Sequence, residues 1–190
     1  QDVPCLAIVA SSNKCLEGVP GVGFILVRKS VLQNSKNNSH SLSLDLYDQW
    51  ESMEKNAQWR FTPPTHVLAA FNQALIEHQK EGGTEGRYNR YKKNCDIICN
   101  GMSKMGFKQL LSDKLQAPII ITFLQPKTSN FDFKKFYNSL SDKGFLIYPG
   151  KLTVADTFRI GCIGSLKEND MNDAIIAVEN TLKDLDIKLN

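Results

Sequence analysis

The chain has 190 residues, of which 42% are hydrophobic and 23% charged, with a formal net charge of +3. That apolar content suffices for one core or two small ones, and exceeds what a disulfide-stapled miniprotein uses. It excludes three classes: the charge excess is too small and dispersed for a nucleic-acid stripe, no apolar run approaches the ~20 residues of a membrane-spanning helix, and five scattered cysteines make no disulfide framework.

Gln1 to Pro4 run almost at once into an apolar segment at 6–10 (Leu-Ala-Ile-Val-Ala) that reads as a short buried strand. A buried parallel strand needs neighbours on both sides, so the chain reads as one entered in the middle of a domain. The polar run Ser11-Ser12-Asn13-Lys14-Cys15 follows, then the turn-rich stretch from Glu17 to Gly23, then a second strand over 23–28. Residues 33–43, rich in Asn, Ser and Lys, are expected as a surface loop, and 44–58 has irregular helical character. Phe61 to Thr65 must be extended or turned, because each of Pro63 and Pro64 restricts the residue before it. From Thr65, a natural N-cap, Val67, Leu68, Phe71, Leu75 and Ile76 recur at helical spacing.

Gly82-Gly83 punctuates the helical region and places a domain boundary near 85, giving domains at 1–85 and 86–190. A long helix is expected to Met105, stopped by Gly106. Its stretch from Arg87 to Lys93 interleaves tyrosines with bases and reads as a solvated helical face rather than an RNA-binding patch. Cys95 and Cys99 share a face of that helix. No second cysteine or histidine pair joins them as a zinc site requires, so they read as small buried apolar residues and no metal is expected. A strand over 118–124, a helix over 131–143, strands over 145–148 and 157–160 and a helix over 170–185 complete the chain. That order is the grammar of an α+β domain with helices on one face of a sheet.

Three segments can carry chemistry. Lys14 stands at the mouth of a strand beside glycines that let a ligand approach the backbone, a place where an amine can meet an aldehyde cofactor. Locally, however, a solvated turn lysine is the leading account, since uncompensated burial of an ammonium is costly. Glycines 18, 21 and 23 fit neither dinucleotide nor phosphate-loop spacing and lead into a strand, so a tight hairpin holding Lys14 is preferred. Trp59 to His66 sets a cation, hydroxyls and an imidazole at a helix start, which is anion-binding chemistry; Thr65 can equally be a cap, whereas Thr62 has no such task. Arg159 is one arginine in an apolar strand. It is either paired with an acid such as Asp156 or free to fork a carboxylate or phosphonate. Tyr148-Pro149-Gly150-Lys151 is a turn that can border the same pocket.

Together these segments resemble one family, the class V aminotransferases, pyridoxal-phosphate enzymes of fold type I. The resemblance is carried in order by residues 11–15 with 18–21, 41–47 with Gln49 and Trp50, 59–62, 64–66, 148–151 and 158–161. It implies an α/β fold: the C-terminal part of the large pyridoxal-phosphate-binding domain followed by a small α+β C-terminal domain. It implies pyridoxal 5′-phosphate as cofactor, Lys14 as the lysine that holds it and shuttles the proton, and Thr62 as a ligand of the cofactor phosphate of the neighbouring subunit. A homodimer with shared active sites follows from that last role. Arg159 resembles the substrate-anion clamp. Asn13 and the block at 41–50 favour the phosphonate branch, whose small-molecule substrates are 2-aminoethylphosphonate and pyruvate and whose products are phosphonoacetaldehyde and L-alanine. The alternatives are an alanine–glyoxylate or serine–pyruvate enzyme, or a non-catalytic fragment. Family members are about twice as long, and the groups under the pyridine nitrogen and around most of the phosphate have no counterpart in these residues. The expected compartment is the cytoplasm, with neither nucleic acid nor membrane as partner.

Overall fold

A computed structural model describes residues 4–150 and 155–189. Gln1 to Val3 and Lys151, named above, lie outside the described residues. The chain divides into two compact units, Gln1–Glu77 and His78–Asn190.

The first unit opens with a two-stranded antiparallel hairpin, β1 (Ala7–Ser11) and β2 (Gly23–Val27), paired from Ala7↔Val27 to Ser11↔Gly23. The expected hairpin is present, but the expectation of a buried strand is overturned. Leu6 is 59%, Ile8 49% and Val9 73% exposed, because among the described residues this strand has a single antiparallel partner. A one-turn helix α1 (Lys29–Gln33) leads into the polar loop, and α2 (Leu46–Asn56) follows, capped by the Asp45 carboxylate, which accepts from the Asp48 N–H at 3.0 Å. Helix α3 (Thr65–Lys80) begins at Thr65 itself. Thr65 is thus its first helical residue and not the cap before it; its N–H donates to the Pro63 carbonyl at 2.9 Å, and the Pro64 carbonyl accepts from the Leu68 N–H at 3.0 Å. Phe71 of α3 stacks on Phe24 of β2 with ring centroids 5.5 Å apart.

The second unit, which begins at His78 in the last turn of α3, continues through Glu81 into the long helix α4 (Gly83–Lys104). Next come β3 (Ile120–Leu124), α5 (Phe133–Asp142), the short β4 (Tyr148–Pro149), β5 (Thr157–Gly161) and α6 (Glu168–Asp184). The sheet is antiparallel in the order β3-β5-β4, with β5 central. The strand expected at 145–148 is reduced to Tyr148 and Pro149. Strand alternation sends Ile121, Phe123, Phe158 and Ile160 to one face, where they meet Ile98 and Met102 of α4, Phe136 and Leu140 of α5 and Val178 and Leu182 of α6. Phe107 and Phe158 lie edge to face at 5.6 Å, and Phe123 and Phe158 stack at 5.6 Å.

Another correction falls on α4. Tyr88, Asn89, Lys92 and Lys93 are exposed as expected, but Arg87 and Tyr91 within that stretch are buried, as is Asn94 beyond it. They continue, at spacings of four and three, the stripe that carries Ile98 and Met102 into the core. Glu81 binds Arg87 Nε at 2.6 Å and Arg90 Nε at 2.6 Å, and the Asn94 amide donates to the Leu166 carbonyl at 3.0 Å. Polar side chains sit inside here because each has a charged or backbone partner. The Arg90 hydrogen bonds, reinforced by Arg87, hold the Glu81 carboxyl down to about 2. Cys95 lies in the core and Cys99 is half-buried, their sulfurs 3.8 Å apart. Among the described residues no helix is long and apolar enough to cross a membrane.

Candidate active site

Lys14 rides on the connection between β1 and β2, and the chain there is fixed from beneath. Ser12 is fully buried; its hydroxyl donates to the Val19 carbonyl at 2.8 Å and its N–H to the Val22 carbonyl at 3.2 Å. The Ser12 carbonyl accepts from the Gly18 N–H at 2.8 Å, and the Glu17 N–H reaches the Lys14 carbonyl at 2.9 Å. A Cβ on Gly18 would lie 2.9 Å from the Ser12 carbonyl oxygen, and Gly21 has φ +136° with Val67 against it, so both positions need glycine. The result is a stiff loop that presents an exposed lysine, whose amine has no hydrogen bond or ion pair among the described residues.

Thr62 is exposed in the segment before α3. Its segment is tied back to the 41–50 block by Arg60, which binds the Asp48 carboxylate at 3.3 Å and the Leu42 carbonyl at 3.3 Å. Gln49 closes the same block on the Ser43 carbonyl at 2.9 Å. His66 is exposed on the first turn of α3. Sequence reasoning assigned Ser12 no task, and it offered Arg60 as the cation of an anion-binding segment, whereas the structure commits Arg60 to the Asp48 carboxylate and the Leu42 carbonyl.

In the second unit Arg159 projects from β5 on the face opposite Phe158 and Ile160. Its Nε donates to the Pro149 carbonyl at 3.3 Å, and its guanidinium carbon lies 6.0 Å from the centre of the Tyr148 ring. The alternative of an ion pair with Asp156 is not realised among the described residues. Lys14 and Thr62 thus stand in the first unit and Arg159 in the second.

This donor set fits part of a pyridoxal-phosphate site. An exposed amine on a rigid loop can attach to an aldehyde, and an exposed hydroxyl without a hydrogen-bond partner among the described residues can meet a phosphate.

The fold agrees. The chain superposes on pyridoxamine–pyruvate aminotransferase from Mesorhizobium loti with a TM-score of 0.84 at 21% identity, covering 97% of this chain and 48% of that one. It matches ureidoglycine–glyoxylate aminotransferase from Bacillus subtilis with a TM-score of 0.82 at 20% identity, covering 97% and 48%. The fold is therefore that of the pyridoxal-phosphate aminotransferases of fold type I. No family model matches the chain. Its sequence is 50% identical over 187 residues to the 2-aminoethylphosphonate–pyruvate transaminase of Cupriavidus necator, covering 98% of this chain and 50% of that protein. The enzyme of the same name from Rhizobium meliloti is 54% identical over 176 residues, covering 93% and 46%. Within the class, the chain is thus a homologue of the 2-aminoethylphosphonate–pyruvate transaminases, and the resemblance read from its motifs is borne out. It spans about half the length of the curated relatives it matches.

Proposed function

We propose that the protein is a pyridoxal-phosphate-dependent transaminase that takes the amino group of 2-aminoethylphosphonate to pyruvate, releasing phosphonoacetaldehyde and L-alanine. The observation that carries this reading is the agreement of about half the positions, over nearly the whole chain, with enzymes of that name. The first unit then supplies the C-terminal part of the large cofactor-binding domain and the second the small C-terminal domain.

Bound pyridoxal phosphate supplies an aldehyde and an electron-withdrawing ring that stabilises negative charge at the substrate carbon. Lys14 holds the cofactor and, released from it, carries the proton to and from the substrate carbon. Thr62 offers its hydroxyl to the cofactor phosphate of a partner subunit, which makes the enzyme a homodimer with shared sites. Arg159 binds the substrate anion. One guanidinium serves the phosphonate of the donor and the carboxylate of pyruvate in turn, since both offer the paired oxygens its fork fits. Five scattered cysteines, two of them exposed, support a reducing compartment such as the cytoplasm.

Donor competition tests this reading. The full-length enzyme is expected to turn over 2-aminoethylphosphonate with pyruvate at least 100-fold more efficiently, in kcat/KM, than serine or alanine with glyoxylate. Preference for serine would overturn the phosphonate assignment and leave a different transaminase.

A further inference from the structure

Arg159 is held before any ligand arrives. It occupies the middle of β5, between Thr122 of β3 and Tyr148 of β4 in the cross-strand register. Phe158 and Ile160 on either side turn into the core, so the strand cannot slip by one residue without burying the guanidinium and exposing a phenyl ring. On the open face, the short Thr122 leaves room and the Tyr148 ring supplies a surface. The guanidinium lies 6.0 Å from the ring centre and its Nε bond to Pro149 measures 3.3 Å.

That last bond decides the geometry. A guanidinium can bind an anion side-on through Nε and one Nη, or end-on through both Nη groups. Pro149 takes the Nε hydrogen, and Arg159 forms no other hydrogen bond or ion pair among the described residues. The end-on edge is therefore the one presented. We propose that Tyr148 is a positioning residue which, with the Pro149 carbonyl, fixes the Arg159 guanidinium so that its two Nη groups face the substrate anion. This rests on the reading of Arg159 as the anion clamp. A side chain with four rotatable bonds then loses little further freedom on binding, which is the gain from pre-organisation. The ring face does the orienting; the phenolic hydroxyl is not required, and Tyr148 itself is 56% exposed.

The test uses the full-length enzyme loaded with cofactor and ethylphosphonate, an anion that has no amine to transfer, as calorimetric probe. Tyr148→Leu is expected to weaken ethylphosphonate binding 3- to 10-fold. It should raise KM for the amino donor and for pyruvate by similar factors and leave kcat within 2-fold. Tyr148→Phe should stay within 2-fold of the parent in every quantity, and Tyr148→Thr, a second variant without the ring, should repeat the Leu result. If Arg159→Met weakens the probe more than 30-fold while both ring-less variants bind it like the parent, the clamp stands and the role given to Tyr148 is wrong. If Arg159→Met itself leaves binding unchanged, the clamp reading fails, and this proposal with it.

Discussion

The two units bury their apolar side chains in opposite ways. Among the described residues that are buried, only Ser12 and Ala74 fall in the first unit, while Phe107, Phe123, Phe136, Phe158 and the faces of three helices close a core in the second. The first unit leaves Leu6, Val9, Leu26, Leu42 and Leu44 each more than half exposed. Stability in the second unit comes from apolar burial; order in the first comes from local hydrogen bonds and close contacts around the loop that carries Lys14. Burial is the dominant driving force of folding, so a segment can be well shaped and still be unable to stand alone.

Separating the units breaks the comparison most severely. A fragment of residues 78–190 is expected to melt in one cooperative transition, and a fragment of residues 1–77 to show none, by calorimetry and near-ultraviolet circular dichroism. Cooperative melting of the first fragment would show that its exposed strands are no liability. Within the full chain, Phe158→Ala should cost about 3–5 kcal/mol in denaturant titration, since it removes a ring in contact with several others. Val9→Ala should change stability by less than about 0.5 kcal/mol. The first unit has sensitive points of its own, Gly21 among them. Gly21→Ala is expected to cost about 1–3 kcal/mol, because φ +136° strains any side chain and a Cβ would meet Val67 at 2.9 Å.

A smaller effect sharpens the contrast by pH. Glu81 has its carboxyl lowered to about 2 by Arg90 and Arg87, below the ordinary value of 4.5. A depressed carboxylate stabilises fully above its unfolded value, and that contribution is lost as pH falls from about 4.5 through about 2. With Glu81 partly exposed, the loss should amount to about 1–2 kcal/mol. Glu81→Gln should remove that part of the acid slope in the second unit's unfolding and leave the first unit's loop untouched.

Where apolar periodicity was clean, the fold was legible. The helices ending before Gly106 and Gly144, the central strand at Arg159 and the helices on one sheet face all lie where the pattern put them. Two readings failed for physical reasons. Arg87 and Tyr91 looked solvated with the rest of the run to Lys93 because charge alone does not reveal Glu81 six residues before Arg87, nor the carbonyls of Gly164 and Leu166 that Arg90 captures. Counting back by fours from Met102 and Ile98 through Asn94 and Cys95 to Tyr91 and Arg87 would have found the buried stripe. Leu6 to Ala10 looked buried because an apolar run reports affinity for a core, not the presence of one. At the candidate site, Lys14, Thr62 and Arg159 were legible as motifs. What Ser12 and Arg60 hold, the carbonyls of Val19, Val22 and Leu42 and the Asp48 carboxylate, leaves no signature in composition or spacing.

Lys14 is the centre of the account, and its modification tests that directly. The full-length enzyme, incubated with pyridoxal phosphate and reduced with borohydride, should yield on digestion one peptide carrying the cofactor mass, with the added mass on Lys14. Lys14→Arg should carry none and show no transamination. Cofactor fixed to a different lysine, or transamination that survives Lys14→Arg at the parent rate, would contradict it.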